Sequence, residues 1–172
     1  MYIVFYFFIV GAVLGWILEI VFKTLTKNEN VTAGILNGPF CILYGIGIMF
    51  ISVFLSKIQN NFVLFISIVF FMSFFEYITD IFLDKIYNIR LWDYSNIKFN
   101  IKGRVCIIFS IAWGLLGMIY VKYILKYLYT IYYKIDEINL IISMLIIYIL
   151  VDFFISSINL LKNKRQKQKY SV

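Results

Sequence analysis

YIVFYFFIVGAVLGWILEIVFKTL, residues 2–25, carries only two charged side chains, Glu19 and Lys23. About 20 consecutive apolar residues suffice to cross a bilayer core. The run is continuous and not alternating, so it reads as a helix and not as a barrel strand. It has no basic segment before its apolar part and no small-residue cleavage site, so it reads as a retained span and not a removed signal.

Four further runs have the same character, at 36–55, 62–86, 105–129 and 138–161. The second is expected to open at Gly38-Pro39, because proline suits the first turn of a helix. The chain is therefore expected to be an all-α polytopic bundle of about five transmembrane helices over 1–161, followed by a basic tail at 162–172. Composition agrees: 63% of residues are apolar and 15% charged. A soluble domain would carry about 25% charge. The heavy use of Ile, Lys, Asn, Tyr and Phe fits a bacterial chain encoded by AT-rich DNA.

Several chemistries drop out. The chain contains no histidine, which removes imidazole metal sites, Ser-His-Asp triads and histidine proton relays. Its thiols, Cys41 and Cys106, lack CxxC spacing and read as inert apolar groups. There is no phosphate-binding G-x-x-x-x-G-K-[ST] or G-x-G-x-x-G run. No metal, cofactor or catalytic set is expected, and ATP would have to be bound by another chain.

Twelve of the sixteen Lys and Arg residues fall in loop one, around loop three and in the tail; Lys57, Lys122, Lys126 and Lys134 do not. By the positive-inside rule the tail is cytoplasmic and the N-terminus outside. The basic tail reads as an anchor on anionic lipid. A nucleic-acid role for the +7 net charge is set aside, since these charges lie at a membrane face.

The acids inside the spans carry the functional question. Gly11, Gly15 and Glu19 lie four apart and share one helix face, with the glycines allowing close helix approach. Glu19 sits about 9 Å from its helix end. In FFEYITDIFLDKIYN, residues 74–88, Glu76, Asp80 and Asp84 form one stripe. Glu76 is the deepest, at about 15 Å, and Asp84 reads as an interfacial, solvated acid. Asp152 lies midway along the last span and reads as a helix-helix hydrogen-bonding group.

Leaving Glu19, Glu76, Asp80 and Asp152 charged and unpaired would cost on the order of 10 kcal/mol, so these acids are expected to be neutral, wet or matched by cations. Arg104, whose fork can hold carboxylates bidentately, is the expected shared partner, with Lys23 and Lys85 snorkelling to help. Two readings stay open: a polar pocket of Glu19, Glu76, Asp80 and Arg104 open to the cytoplasm, or an ion-pair network that fixes helix register.

Two stretches add detail. In GILNGPFCILYGIG, residues 34–47, Gly34, Gly38 and Pro39 mark a sharp helix entry, and Tyr44, Gly45 and Gly47 a thinned packing face. In RLWDYSNIKFNIKGRVC, residues 90–106, Trp92 and Tyr94 suit the membrane interface. Asp93 can cap a turn or accept from Arg90 or Arg104. Asn100 and Gly103 are turn residues. This stretch is expected to fold over the cytoplasmic mouth of the pocket.

Taken in order, these motifs resemble the bacterial family labelled putative ABC-transporter type IV, over roughly residues 5 to 130. Gly15, Trp16 and Glu19 fit its first motif. Gly34, Gly38, Pro39, Cys41, Tyr44 and Gly45 fit its second. Glu76, Trp92, Asp93, Tyr94, Asn100, Gly103 and Arg104 fit its third. The resemblance implies a permease subunit in the bacterial plasma membrane. Five spans are few for a complete transporter, so a homodimer or a separate ATPase subunit is implied. The competing expectations are a non-transport assembly or regulatory protein of the cell envelope, and an enzyme whose carboxylates act on lipid headgroups.

Overall fold

The apolar runs fold into five helices that pass back and forth. The computed structural model describes residues 2–26 and 34–170, with the backbone alone at 26 and 166–170. Loop one, with Lys27, lies outside the described residues, as do the side chains of Lys167 and Lys169.

Helix α1 is Tyr2–Thr26 and α2 is Ile42–Val53, extended by a 3₁₀ turn at Leu55–Lys57. Helix α3 is Asn61–Tyr87. A short antiparallel hairpin pairs β1, Asn100–Ile101, with β2, Val105–Cys106. Helix α4 is Ile107–Lys134, with a π turn at Tyr120–Ile124, and α5 is Ile138–Tyr170.

Local chemistry sets several boundaries. The Asn60 side chain accepts the N–H groups of Phe62 and Val63 at 2.9 and 3.2 Å, capping the start of α3. Asn88, at φ 57°, ends α3 in the left-handed conformation that asparagine tolerates. The last helix continues to Tyr170, so residues 162–170 of the basic stretch extend α5.

Helices α1, α3, α4 and α5 are each long and apolar enough to cross a membrane. The second expected span differs. Its helix starts at Ile42, not at Pro39, and with the 3₁₀ turn it reaches roughly 24 Å, short of a core of about 30 Å. Residues 34–41 enter it as non-helical chain. Backbone of this kind is tolerated at membrane depth only when protein covers it, and Gly38, Phe40 and Cys41 are buried. The Cys41 N–H bonds the Ala12 carbonyl of α1 at 2.9 Å.

Glycine contacts fix the two tightest helix pairs. A Cβ placed on Gly11 would lie 2.6 Å from the Ile48 Cβ, and one on Gly45 would lie 2.8 Å from the Phe8 ring, so α1 and α2 touch backbone to side chain. Helix α4 lays Gly114 against Phe65 and Gly117 against Ile68 of α3. These small-residue seams are the usual way for helices to associate in lipid. The start of α1 stacks on the end of α4, with Tyr6–Tyr132 and Phe7–Tyr129 ring centroids 5.4 and 5.1 Å apart. At the other end, Lys164 on α5 donates to the Lys85 and Ile86 carbonyls that finish α3. The two termini therefore lie at opposite ends of the bundle.

Candidate functional site

The acidic stripe of α3 faces inward. Glu76 and Asp80 are 3% and 0% exposed, whereas Phe70, Phe74, Ile78 and Phe82 on the opposite face are exposed. That division follows from the helical period: residues four apart share a face, so one α3 face gathers the acids and the other the lipid-facing phenylalanines.

The acids are partnered in two separate groups. The first lines a cavity of about 200 Å³ between α1, α2, α3, α4 and the hairpin loop. Here Tyr44, on the first turn of α2, donates to Glu19 at 2.5 Å. Tyr94 donates to one Glu76 oxygen at 2.9 Å, and the Trp113 indole N–H approaches the other at 3.4 Å. Trp92, Phe22 and Phe109 complete the aromatic wall. Burial, and then the adjacent Glu76, push the Tyr94 hydroxyl well above its usual range, so it stays a donor.

The second group is an ion-pair cluster. Arg104, just before α4, pairs with Asp80 through Nη1 and with Asp84 through Nη2, the latter at 2.7 Å. Arg90 lies 3.5 Å from the same Asp80 oxygen. The hydrogen bond to Asp84 raises the Arg104 guanidinium above even its ordinary value, so it remains charged. The other oxygen of Asp80 is buried and has no hydrogen-bond partner among the described residues.

This division corrects the expectation of a single shared guanidinium. The ion pairs of Arg104 go to Asp80 and Asp84, and Glu19 and Glu76 are held instead by neutral hydroxyl and indole donors. Asp84, expected to be merely solvated, is a full member of the cluster. The cluster's second cation is Arg90, a role expected of Lys23 and Lys85.

The loop over 88–106 forms the cover. Its backbone is pinned by the Tyr94 N–H to the Gly103 carbonyl at 2.8 Å and by the Trp92 indole to the Arg104 carbonyl at 2.7 Å. Asp93 accepts from the Ser95 N–H and hydroxyl at 2.9 and 2.6 Å, and its Oδ1 lies 3.7 Å from Arg90. The Ser95 donors hold its carboxyl below the ordinary carboxylate range. Asn100 accepts the Gly103 N–H at 2.8 Å, and Gly103 has φ 68°, which glycine adopts without steric cost. Trp92 and Tyr94 are thus cavity walls.

Asp152 stands apart from the cavity. It accepts the Gly38 N–H at 2.8 Å, the Asn37 N–H at 3.2 Å and the Asn37 side-chain amide at 2.9 Å, and Ser156 bonds the same carboxylate at 3.1 Å. Its partner is the non-helical entry to α2, not another helix. Gly34, at φ 85°, and Pro39 belong to that entry. Gly15 and Trp16 lie near Tyr44: a Cβ on Gly15 would collide with the Tyr44 side chain, and Trp16 packs against the buried group of Cys41, Leu43 and Tyr44.

Sequence reasoning missed two participants. Trp113 had a signal in its helical neighbours Gly114 and Gly117, which bring α4 close enough to α3 for an indole to reach Glu76. Arg90 was expected only as a partner of Asp93; its contact with Asp80 had no local signal, because it forms only after the chain turns at Asn88. Among the described residues, no group of three or more Cys, Asp and Glu side chains converges to hold a metal ion.

A family model described as Putative ABC-transporter type IV matches residues 5–157. The match runs beyond the expected limit near 130 and takes in much of α5, including Asp152. No curated protein matches the chain, and no solved structure does.

Proposed function

Because this chain belongs to the Putative ABC-transporter type IV family, we propose that it is a permease-like subunit of the bacterial plasma membrane. Its tail and the loop over 88–106 face the cytoplasm, and a separate ATPase chain drives it, in an assembly that includes a second copy. The observation that carries this reading is the cavity itself. Glu19 from α1 and Glu76 from α3, helices long and apolar enough to cross a membrane, line one chamber, and a hydrogen-bonded loop covers it at the end where basic residues cluster. Acids at this depth are costly and are usually kept for a solute or ion path.

The Arg104–Asp80–Asp84–Arg90 cluster favours a second reading, a non-transport assembly or regulatory protein of the cell envelope. A closed set of ion pairs fixes helices and loop whether or not anything moves through them. Affinity purification from bacterial membranes in mild detergent separates the two. A nucleotide-binding chain recovered in stoichiometric amount, and growth defects shared by deletion of either gene, are the expected results. Stoichiometric recovery of a non-ATPase partner instead would overturn the permease reading.

A further inference from the structure

We propose that the Glu19–Glu76 chamber binds a small organic cation, a protonated or quaternary amine, held by carboxylates and aromatic faces together. This deepens the permease reading by naming its substrate class, and it rests on that reading only for the step from binding to transport.

Charge is the first argument. Two carboxylates line the chamber, and none of its lining residues is Lys or Arg. The guanidiniums of the acidic stripe, Arg104 and Arg90, pair with Asp80, Asp84 and Asp93. The partners of Glu19 and Glu76 are the Tyr44 and Tyr94 hydroxyls and the Trp113 indole, which orient the carboxylates but bring no positive charge. A cationic occupant can be met by both carboxylates with no opposing Lys or Arg in the lining, whereas the same lining offers an anion no cationic partner.

The walls choose among cations. Tyr44 and Trp113 meet edge to face at 5.3 Å, and Tyr94 stacks on Phe109 at 4.8 Å, so the rings are locked as fixed panels. Trp and Tyr faces attract a weakly hydrated cation, most strongly when water is excluded. A calcium or magnesium ion wants six or more oxygen ligands, and this chamber supplies a few oxygens among rings. Its volume of about 200 Å³ corresponds to the space of roughly six waters, enough for an amine with a few carbon substituents. The covering loop presents Trp92 and Tyr94 to the chamber.

The test uses the purified full chain in lipid nanodiscs. Choline is titrated by calorimetry against its uncharged carbon isostere, 3,3-dimethyl-1-butanol, and against potassium. Saturable choline binding at about 1 mM or tighter is expected, with the isostere and potassium at least tenfold weaker. Glu76→Gln and Trp113→Leu should each weaken choline by about tenfold or more. If either variant fails to fold, the wild-type preference for choline over the isostere still decides whether charge is recognised. Quenching of tryptophan emission by bound choline locates it. No saturable binding, equal binding of the isostere or potassium, or unchanged affinity in a folded Glu76→Gln protein would overturn the site. Choline bound but not moved by the complete assembly in vesicles would leave the site standing and remove the permease reading. Transport of another solute without choline binding would do the reverse.

Discussion

Asp152 holds a strand of chain that has no helix to satisfy it. Two backbone N–H groups, those of Asn37 and Gly38, end on its carboxylate inside the bundle. Buried donors left without an acceptor each cost about 1–3 kcal/mol. Asp152→Ala is therefore expected to lower stability by about 2–4 kcal/mol, measured by unfolding in mixed detergent micelles. Asp152→Asn keeps one acceptor oxygen and should cost less. The need for a polar group at this depth could be read from the sequence, because an aspartate in an apolar run always wants a partner. Its partner could not, since Asn37 is more than a hundred positions away.

At the scale of elements, the covering loop and the acidic stripe of α3 are the parts that act together. Tyr94→Phe removes the hydrogen bond that joins loop to stripe while leaving its ring in place. The loss of about 1 kcal/mol should raise the open fraction of the loop roughly fivefold. Faster tryptic cleavage at the exposed Lys98 and Lys102 would register it, and an unchanged cleavage rate would show that the loop is held by its own turns alone. The ion-pair cluster gives a second expectation. Arg104→Met should destabilise the fold markedly, because it leaves Asp80 at 0% exposure with Arg90 as its sole cation. Adding Asp80→Asn should recover part of the loss. A double-mutant cycle in thermal unfolding measures this, and strictly additive effects would mean that the pair is not energetically coupled. The helical period of the stripe was legible in the sequence. Its division between tyrosines and guanidiniums was not, because Glu76 and Asp80 are one turn apart and either could have reached Arg104.

For the molecule as a whole, the alternating passage of five helices puts the termini at opposite ends, although α2 is short. Among the described residues Lys23, Lys85, Arg90, Lys98, Lys102, Arg104, Lys162, Lys164 and Arg165 lie toward one end, and that end is expected to face the cytoplasm. Reporter fusions check this. A cytoplasm-active reporter should work after residue 165 and fail at the turn near Lys57, and the opposite pattern would invert the orientation. The short second helix is the main architectural departure from what hydropathy implies. Residues 36–41 open the second apolar run, but they contain Asn37, Gly38 and Pro39 and are not helical. Hydropathy reports whether a segment tolerates burial, and both a helix and a protein-covered entry strand meet that condition.

The sequence by itself determined the membrane class, the number of apolar runs, the inward acidic stripe and the turn chemistry at Asn100 and Gly103. Each of these depends on residues within a few positions of one another, where helical period and capping chemistry leave little choice. Only the tertiary structure decided which acid meets which partner, that Arg90 joins the cluster, and that Tyr44, Tyr94 and Trp113 close a chamber around Glu19 and Glu76. Those pairings depend on the rotation and depth of whole helices against one another, which the glycine seams of α1 with α2 and of α3 with α4 set by close packing across long stretches of chain.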